Sequence, residues 1–299
     1  MSRLYTEVRG SGPALVLLHG WGLNVRVWDG LAATLCDRFR IIAVDLPGHG
    51  RSSWLPQRSS LQEQAAQVRE TVAGIASDYS LLGWSLGGQI ALQLAATQPG
   101  ASAQRDTAAQ PVAAAPSAST AAVVNHLVLI ATTPRFTAGR DWPYGAPAER
   151  LAAQAAGLQT DYRRTVGDFL ELQVRGSTGG AEALTQLRAA LFAHGSADDG
   201  SHNGSDASPE PYGPRLAALT HGLELLRDSD LRPLLPRITV PTLVIAGQYD
   251  RVTHPAASRA LADSLPDARY VEIRRAAHAP FLSHLAELDA VIADFLAPP

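Results

Sequence analysis

Six short apolar runs recur along this 299-residue chain: Leu15 to Leu18, Ile41 to Val44, Ser80 to Leu82, His126 to Ile130, Thr242 to Ala246 and Tyr270 to Ile273. Helical patterns separate them, and this alternation constrains the fold more than any other feature. Runs that are apolar on both faces suit strands buried under helices on each side, and the intervening lengths allow right-handed crossovers. The spacing predicts an α/β architecture with a mostly parallel central sheet flanked by helices. Between the fourth and fifth runs the alternation stops. There Leu151 to Leu158, Val166 to Val174, Ala181 to Phe192 and Leu216 to Leu226 place apolar residues at three- and four-residue spacing, as amphipathic helices do. An inserted helical cap over residues 136–235 is expected, on a core of residues 1–135 and 236–299. Residues 101–124, rich in Ala, Gln, Pro, Ser and Thr, and the Gly/Ser/Asp run 194–213 are expected to be flexible insertions.

Composition narrows the chemistry. All 25 basic residues are Arg, which removes Schiff-base lysines, Ser-Lys dyads and a phosphate-binding P-loop lysine. Cys36 is the only cysteine, so an intramolecular disulfide, a CxxC pair and a cysteine-built zinc site are excluded. The formal charge is −3, and no basic run with interleaved aromatics gives a footprint for nucleic acid. The start MSRLYTEVRG has no apolar signal region and no stretch reaches 18 uninterrupted apolar residues, so a cytoplasmic protein without membrane contact is expected. Asp198, Asp199, His202 and Asp206 lie in the polar run and are read as a solvated linker rather than metal ligands.

The motif that carries chemistry is GWSLG, Gly83 to Gly87, directly after the apolar run ending at Leu82 and directly before the helical run QIALQLAA. A serine on such a strand-to-helix turn is held in a strained conformation with its Oγ pushed into the open, and the glycines leave room for neighbouring backbone. The dipole and free N–H groups of the following helix aim at the same spot, which makes the Leu86 N–H one oxyanion donor. Ser85 then needs a base and an orienting acid, in chain order Ser, Asp, His, each beyond a later strand. Asp250 in GQYD and His278 in RRAAHAPF occupy those places. Asp45 precedes Ser85 and is read as shaping its own loop, and His49 as a turn residue. The loop LLHGWG should supply a second oxyanion donor, the Trp21 N–H, with the indole as a wall over the acyl site. The alternative for Trp21 is a core tryptophan, and Cys36 reads as a small buried hydrophobe.

HGWG, DLPGHGRS, GWSLGG, GQYD and AAHAPF together resemble the α/β-hydrolase family over essentially the whole chain outside the two polar stretches. More narrowly, LLHGWGLN, LLGWSLGG, ATTPRF with DWP, RTVGDFLELQ, GLELLRDSDLR and HAPFLSH resemble the pimeloyl-[acyl-carrier protein] methyl ester esterases of biotin synthesis. The resemblance implies an α/β-hydrolase fold and hydrolysis of the ω-methyl ester of a pimeloyl-carrier protein to methanol, without metal or cofactor. It implies the triad Ser85, Asp250 and His278, the oxyanion pair Trp21 and Leu86, and a substrate-lining stretch Phe169, Leu170, Glu171, Leu172 and Gln173. Read from the residues alone, that stretch is an amphipathic helix packing Phe169, Leu170 and Leu172 on the core. The implied partner is an acidic acyl-carrier protein met by Arg163, Arg164, Arg175 and Arg188, although Asp168, Glu171 and Glu182 interrupt that face. A monomer is expected. The alternatives are a general short-chain acyl esterase or thioesterase of the same fold and, remotely, a non-catalytic ligand-binding module.

Overall fold

The computed structural model of the chain describes residues 4–56, 59–98, 122–192 and 214–297. Its strands are β1 (Thr6–Arg9), β2 (Ala14–Leu18), β3 (Arg40–Val44), β4 (Asp78–Trp84), β5 (Val123–Ile130), β6 (Thr242–Gly247) and β7 (Ala268–Ile273). They form one sheet in the order β1-β3-β2-β4-β5-β6-β7, parallel throughout except where β1 meets β3. The helices are α1 (Asp29–Leu35), α2 (Leu61–Ala73), α3 (Leu86–Ala96), α4 (Ala148–Thr160), α5 (Tyr162–Val174), α6 (Gly180–Phe192), α7 (Leu216–Asp228), α8 (Pro255–Asp263), α9 (Pro280–Ser283) and α10 (Leu285–Leu296).

The six apolar runs all become strands, because side chains on both faces of β2 and β6 are wholly buried and only a sheet covered on both sides accommodates that. β1 is the strand that hydropathy misses. Its sequence TEVR has one apolar residue, Val8, which is 49% exposed at the sheet edge, so backbone pairing rather than burial makes it a strand. β5 begins earlier than expected. Val123 and Val124 pair with Asp78 and Tyr79 and so belong to the sheet rather than to the insertion expected over 101–124. Residues 101–121 of that insertion, and all of 194–213 with its Asp and His residues, lie outside the described residues.

Helices α4 to α7 fall between β5 and β6 on the four amphipathic stretches. Leu151 and Leu158, then Val166 and Leu170, then Leu187 and Leu191, then Leu219, Leu223 and Leu226 are the buried positions of their inner faces. Each fully buried leucine contributes roughly 1.5–3 kcal/mol, so these faces keep the helices against the rest of the molecule. The carboxyl ends of β4, β6 and β7 lead into Ser85, Asp250 and His278, where parallel sheets with crossover helices gather their functional loops.

Candidate active site

Ser85 has φ 56° and ψ −116° at the head of α3, a region that non-glycine residues rarely occupy and that costs on the order of 1–3 kcal/mol. Hydrogen bonds over-determine it: Ser85 N donates to Ile130 O at 3.0 Å, and Gly88 N and Gln89 N donate to Ser85 O at 3.0 and 3.2 Å. Two glycines make the turn sterically possible. A Cβ on Gly83 would run into the Gly87 carbonyl, and one on Gly87 into the carbonyls of Leu18 and His19.

His278 is fully buried and held on three sides. Its Nδ1 donates to Asp250 Oδ2 at 2.8 Å, its backbone N donates to Gln173 O at 2.9 Å, and its carbonyl accepts from Trp84 Nε1 at 2.9 Å. Asp250 is equally fixed, since its Oδ1 accepts from the N–H groups of Val252 and Thr253 at 2.8 and 2.9 Å. With Nδ1 carrying the proton toward a carboxylate, Nε2 is left as the basic nitrogen. That atom is buried and makes no hydrogen bond, so the Ser85–His278 bond is not formed in this structure. Such bonds are often long before substrate arrives.

The loop after β2 is wired to the loop after β3 by a buried polar cluster. His19 Nδ1 donates to Gly20 O at 2.8 Å and its Nε2 accepts from Leu46 N at 2.9 Å. His49 Nδ1 donates to Pro47 O at 3.0 Å and its Nε2 accepts from Gly22 N at 3.3 Å. Asp45 accepts from Val25 N at 2.7 Å and Arg51 N at 2.9 Å. Burial holds both imidazoles neutral, His19 at about 3 with the neighbouring His49 adding to the shift, and His49 at about 4. Burial also pushes Asp45 up to about 6, against the N–H bonds from Arg51 and Val25. The Gly20 carbonyl and the Trp21 N–H belong to one peptide unit, so the His19 bond sets the direction of that N–H. Reading the histidines singly by position misses this, because the partners are 27 residues apart.

Ser85 opens on a cavity walled by apolar groups including Trp21, Phe136, Leu151, Phe169, Leu223 and Val252. The Trp21 indole donates to Leu219 O at 2.9 Å and meets Phe169 edge-on, with centroids 4.9 Å apart. It is therefore both a buried tryptophan and a wall of the cavity. Leu86, the first residue of α3, is buried, and its N–H has no intrahelical acceptor.

Of the stretch 169–173, only Phe169 lines this cavity. Leu170 and Leu172 pack into the hydrophobic core. Gln173 is 1% exposed with both side-chain polar atoms unpartnered, and its carbonyl holds His278. Glu171 points to solvent and pairs with Arg188 at 2.9 Å. Arg163, Arg164 and Arg175 are exposed on or just after α5, Arg164 lying 3.8 Å from Asp168. Among the described residues no group of three or more His, Cys, Asp or Glu could hold a metal ion, and no helix is long and apolar enough to cross a membrane.

Residues 13–285 match the family model described as the alpha/beta hydrolase fold. The pimeloyl-[acyl-carrier protein] methyl ester esterase of Nitrosomonas europaea is 36% identical over 284 residues, 95% of each chain. That of Stenotrophomonas maltophilia is 35% identical over 294 residues, 98% of this chain and 96% of its own. In three dimensions the chain is similar to an esterase from Exiguobacterium antarcticum, with TM-score 0.78 and 21% identity over 98% of this chain and 95% of the other. It is also similar to the enol-lactonase from Burkholderia xenovorans, with TM-score 0.73 and 22% identity over 98% and 96%. A sheet of this order, a serine strained at the head of α3 and identity spanning nearly all of both chains lead to one conclusion: the chain belongs to the α/β-hydrolase family and, within it, stands with the pimeloyl-[acyl-carrier protein] methyl ester esterases.

Proposed function

We propose that this chain is a serine carboxylesterase that converts the methyl ester of a pimeloyl-acyl-carrier protein into the free ω-carboxylate and methanol. The observation that carries the reading is a strained Ser85 facing an apolar cavity beside a buried His278–Asp250 hydrogen bond of 2.8 Å. Identity of 36% to a relative of that name over 95% of both chains supports the substrate class.

Ser85 Oγ attacks the ester carbonyl carbon as His278 Nε2 takes its proton. Asp250 stabilises the imidazolium and keeps the ring oriented. The oxyanion is received by the N–H groups of Trp21 and Leu86, one such donor being worth roughly 3 kcal/mol. The carbon–methoxy bond then breaks and Nε2 returns the proton, releasing methanol and leaving an acyl-enzyme on Oγ. Water adds to the acyl carbon while giving a proton to Nε2, the carbon–Oγ bond breaks, and Oγ recovers that proton. No step calls on a metal or cofactor.

Residues 136–235 act as the cap, contributing Leu151, Phe169 and Leu223 to the acyl cavity, and residues 1–135 with 236–299 as the core that carries the triad. The stretch Phe169 to Gln173 serves the substrate through Phe169 directly and through Gln173 by its hold on His278. Arg163, Arg164, Arg175 and Arg188 meet the acidic carrier.

The test compares kcat/KM on pimeloyl-carrier-protein methyl ester with that on a short nitrophenyl ester, with Ser85→Ala as the blank. A strong preference for the carrier-linked ester is expected. Turnover of the nitrophenyl ester alone would leave a serine esterase with another substrate, and normal turnover by folded Ser85→Ala would remove Ser85 as nucleophile.

A further inference from the structure

One wall of the cavity is not apolar. Helix α4 presents Arg150 and Gln154 to it, four residues apart and hence on one helix face, together with Leu151. Gln154 Nε2 is buried and donates to nothing, whereas buried donors in folded proteins almost always have a partner. Arg150 stands on the same wall. Its guanidinium donates through Nη1 to the Arg251 carbonyl at 3.1 Å, and no carboxylate pairs with it among the described residues. The cavity thus holds a neutral amide donor and a guanidinium on one helical row, and Ser85 on a different element.

From this geometry we infer that Arg150 and Gln154 are specificity-determining residues. They bind an oxygen acceptor carried by the acyl chain at a distance from the ester that Ser85 attacks. The inference rests on the ester-hydrolase reading above and deepens it. An aliphatic acid chain fills the apolar stretch of the cavity, and a second carbonyl or carboxylate farther along it supplies the acceptor that Gln154 and Arg150 lack. A plain fatty ester leaves the Gln154 donor buried and unpaired, which a hydrogen-bonding site penalises strongly. The acceptor chemistry has two sources, a neutral carbonyl such as a thioester or second ester, and a free carboxylate. A neutral carbonyl falls to Gln154, and a carboxylate draws chiefly on Arg150.

The experiment measures kcat/KM for three probes: methyl heptanoate, the dimethyl ester of the seven-carbon diacid, and its monomethyl ester with the other carboxylate free. The parent chain is expected to favour at least one of the oxygen-bearing esters over methyl heptanoate. Gln154→Leu, of similar size, should reduce the diester preference roughly tenfold, the usual scale for one hydrogen bond. Arg150→Met should reduce the half-ester preference by at least as much. Loss confined to the diester identifies a carbonyl as the acceptor, and loss confined to the half-ester a carboxylate. Unchanged ratios in both variants, with methyl heptanoate still hydrolysed, would overturn the inference and leave the esterase reading standing. No hydrolysis of any probe or of the carrier-linked ester by the parent chain would bring down both.

Discussion

At the scale of single residues, the candidate site works through the direction of a few protons. Asp250 divides its oxygens, Oδ1 on the N–H groups of Val252 and Thr253 and Oδ2 on His278 Nδ1. In Asp250→Asn the amide oxygen keeps the two backbone donors, so the NH₂ group faces the imidazole. Nδ1 must then accept, and the proton moves to Nε2, where a base is required. The expected result is a kcat loss on the order of 10⁴ with little change in melting temperature, and a wild-type pH–rate profile would reassign the acid. His19 acts one bond further out, by fixing the peptide between Gly20 and Trp21. His19→Asn retains a donor for the Gly20 carbonyl and His19→Ala does not. His19→Ala should therefore lose kcat toward the 10²–10³ typical of a missing oxyanion donor, with affinity for a boronic acid mimic of the tetrahedral state falling in parallel. His19→Asn should recover much of both. Equal loss in the two variants would leave His19 a purely structural role. Ser85, Asp250 and His278 were legible because each follows an apolar strand in a fixed chain order. His19 and Gln154 were not, since a hydrogen bond to a distant backbone and an orphaned donor on a cavity wall leave no periodic trace.

Among the elements, α5 does two things at once. Its inner face buries Val166 and Leu170, and its last turn supplies the Gln173 carbonyl that holds His278 N. Just beyond it Thr178 N donates to Arg275 O at 3.0 Å, so the segment after α5 is stitched to the loop that carries His278. Sequence periodicity finds such a helix readily, as it finds every strand buried on both faces. It cannot find β1, a polar edge strand, nor see that α5 ends against the loop that holds His278. The outer face of α5 carries Arg163 and Arg164 beside Asp168, and Glu171 is paired with Arg188. Exposed pairs of this sort contribute little to stability, roughly 0–1 kcal/mol, so their charges are available for association. Replacing Arg163 and Arg164 together by Ala should lower kcat/KM for the carrier-linked ester more than for a short nitrophenyl ester. The gap should narrow as salt rises, because steering between exposed charges is screened. Equal losses at every ionic strength would move the docking surface elsewhere.

For the molecule as a whole, the buried cluster that joins the loops after β2 and β3 couples folding to pH. His19 and His49 have folded values of about 3 and about 4 against the ordinary imidazole value of 6.5. Between those limits the unfolded chain binds their protons and the folded chain does not, so their contribution is full above pH 6.5 and is lost as pH falls. Asp45 runs the other way. Raised from 3.8 to about 6, it keeps its proton in the folded chain over a range where the unfolded chain has released it. Near pH 5 the two histidines outweigh the one carboxyl by about one proton, a slope of about 1.4 kcal/mol per pH unit in which stability declines toward acid. His49→Gln puts an uncharged acceptor within reach of the Gly22 N–H and removes one of the two titrations, leaving His19 and Asp45 nearly to cancel. Urea unfolding at pH 5.5 and 4.5 should show the parent losing on the order of 1 kcal/mol more across that interval than His49→Gln does. Parallel losses in the two proteins would mean that His49 takes up its proton without cost to the fold, and the wiring of the loop after β2 would then rest on His19 and Asp45.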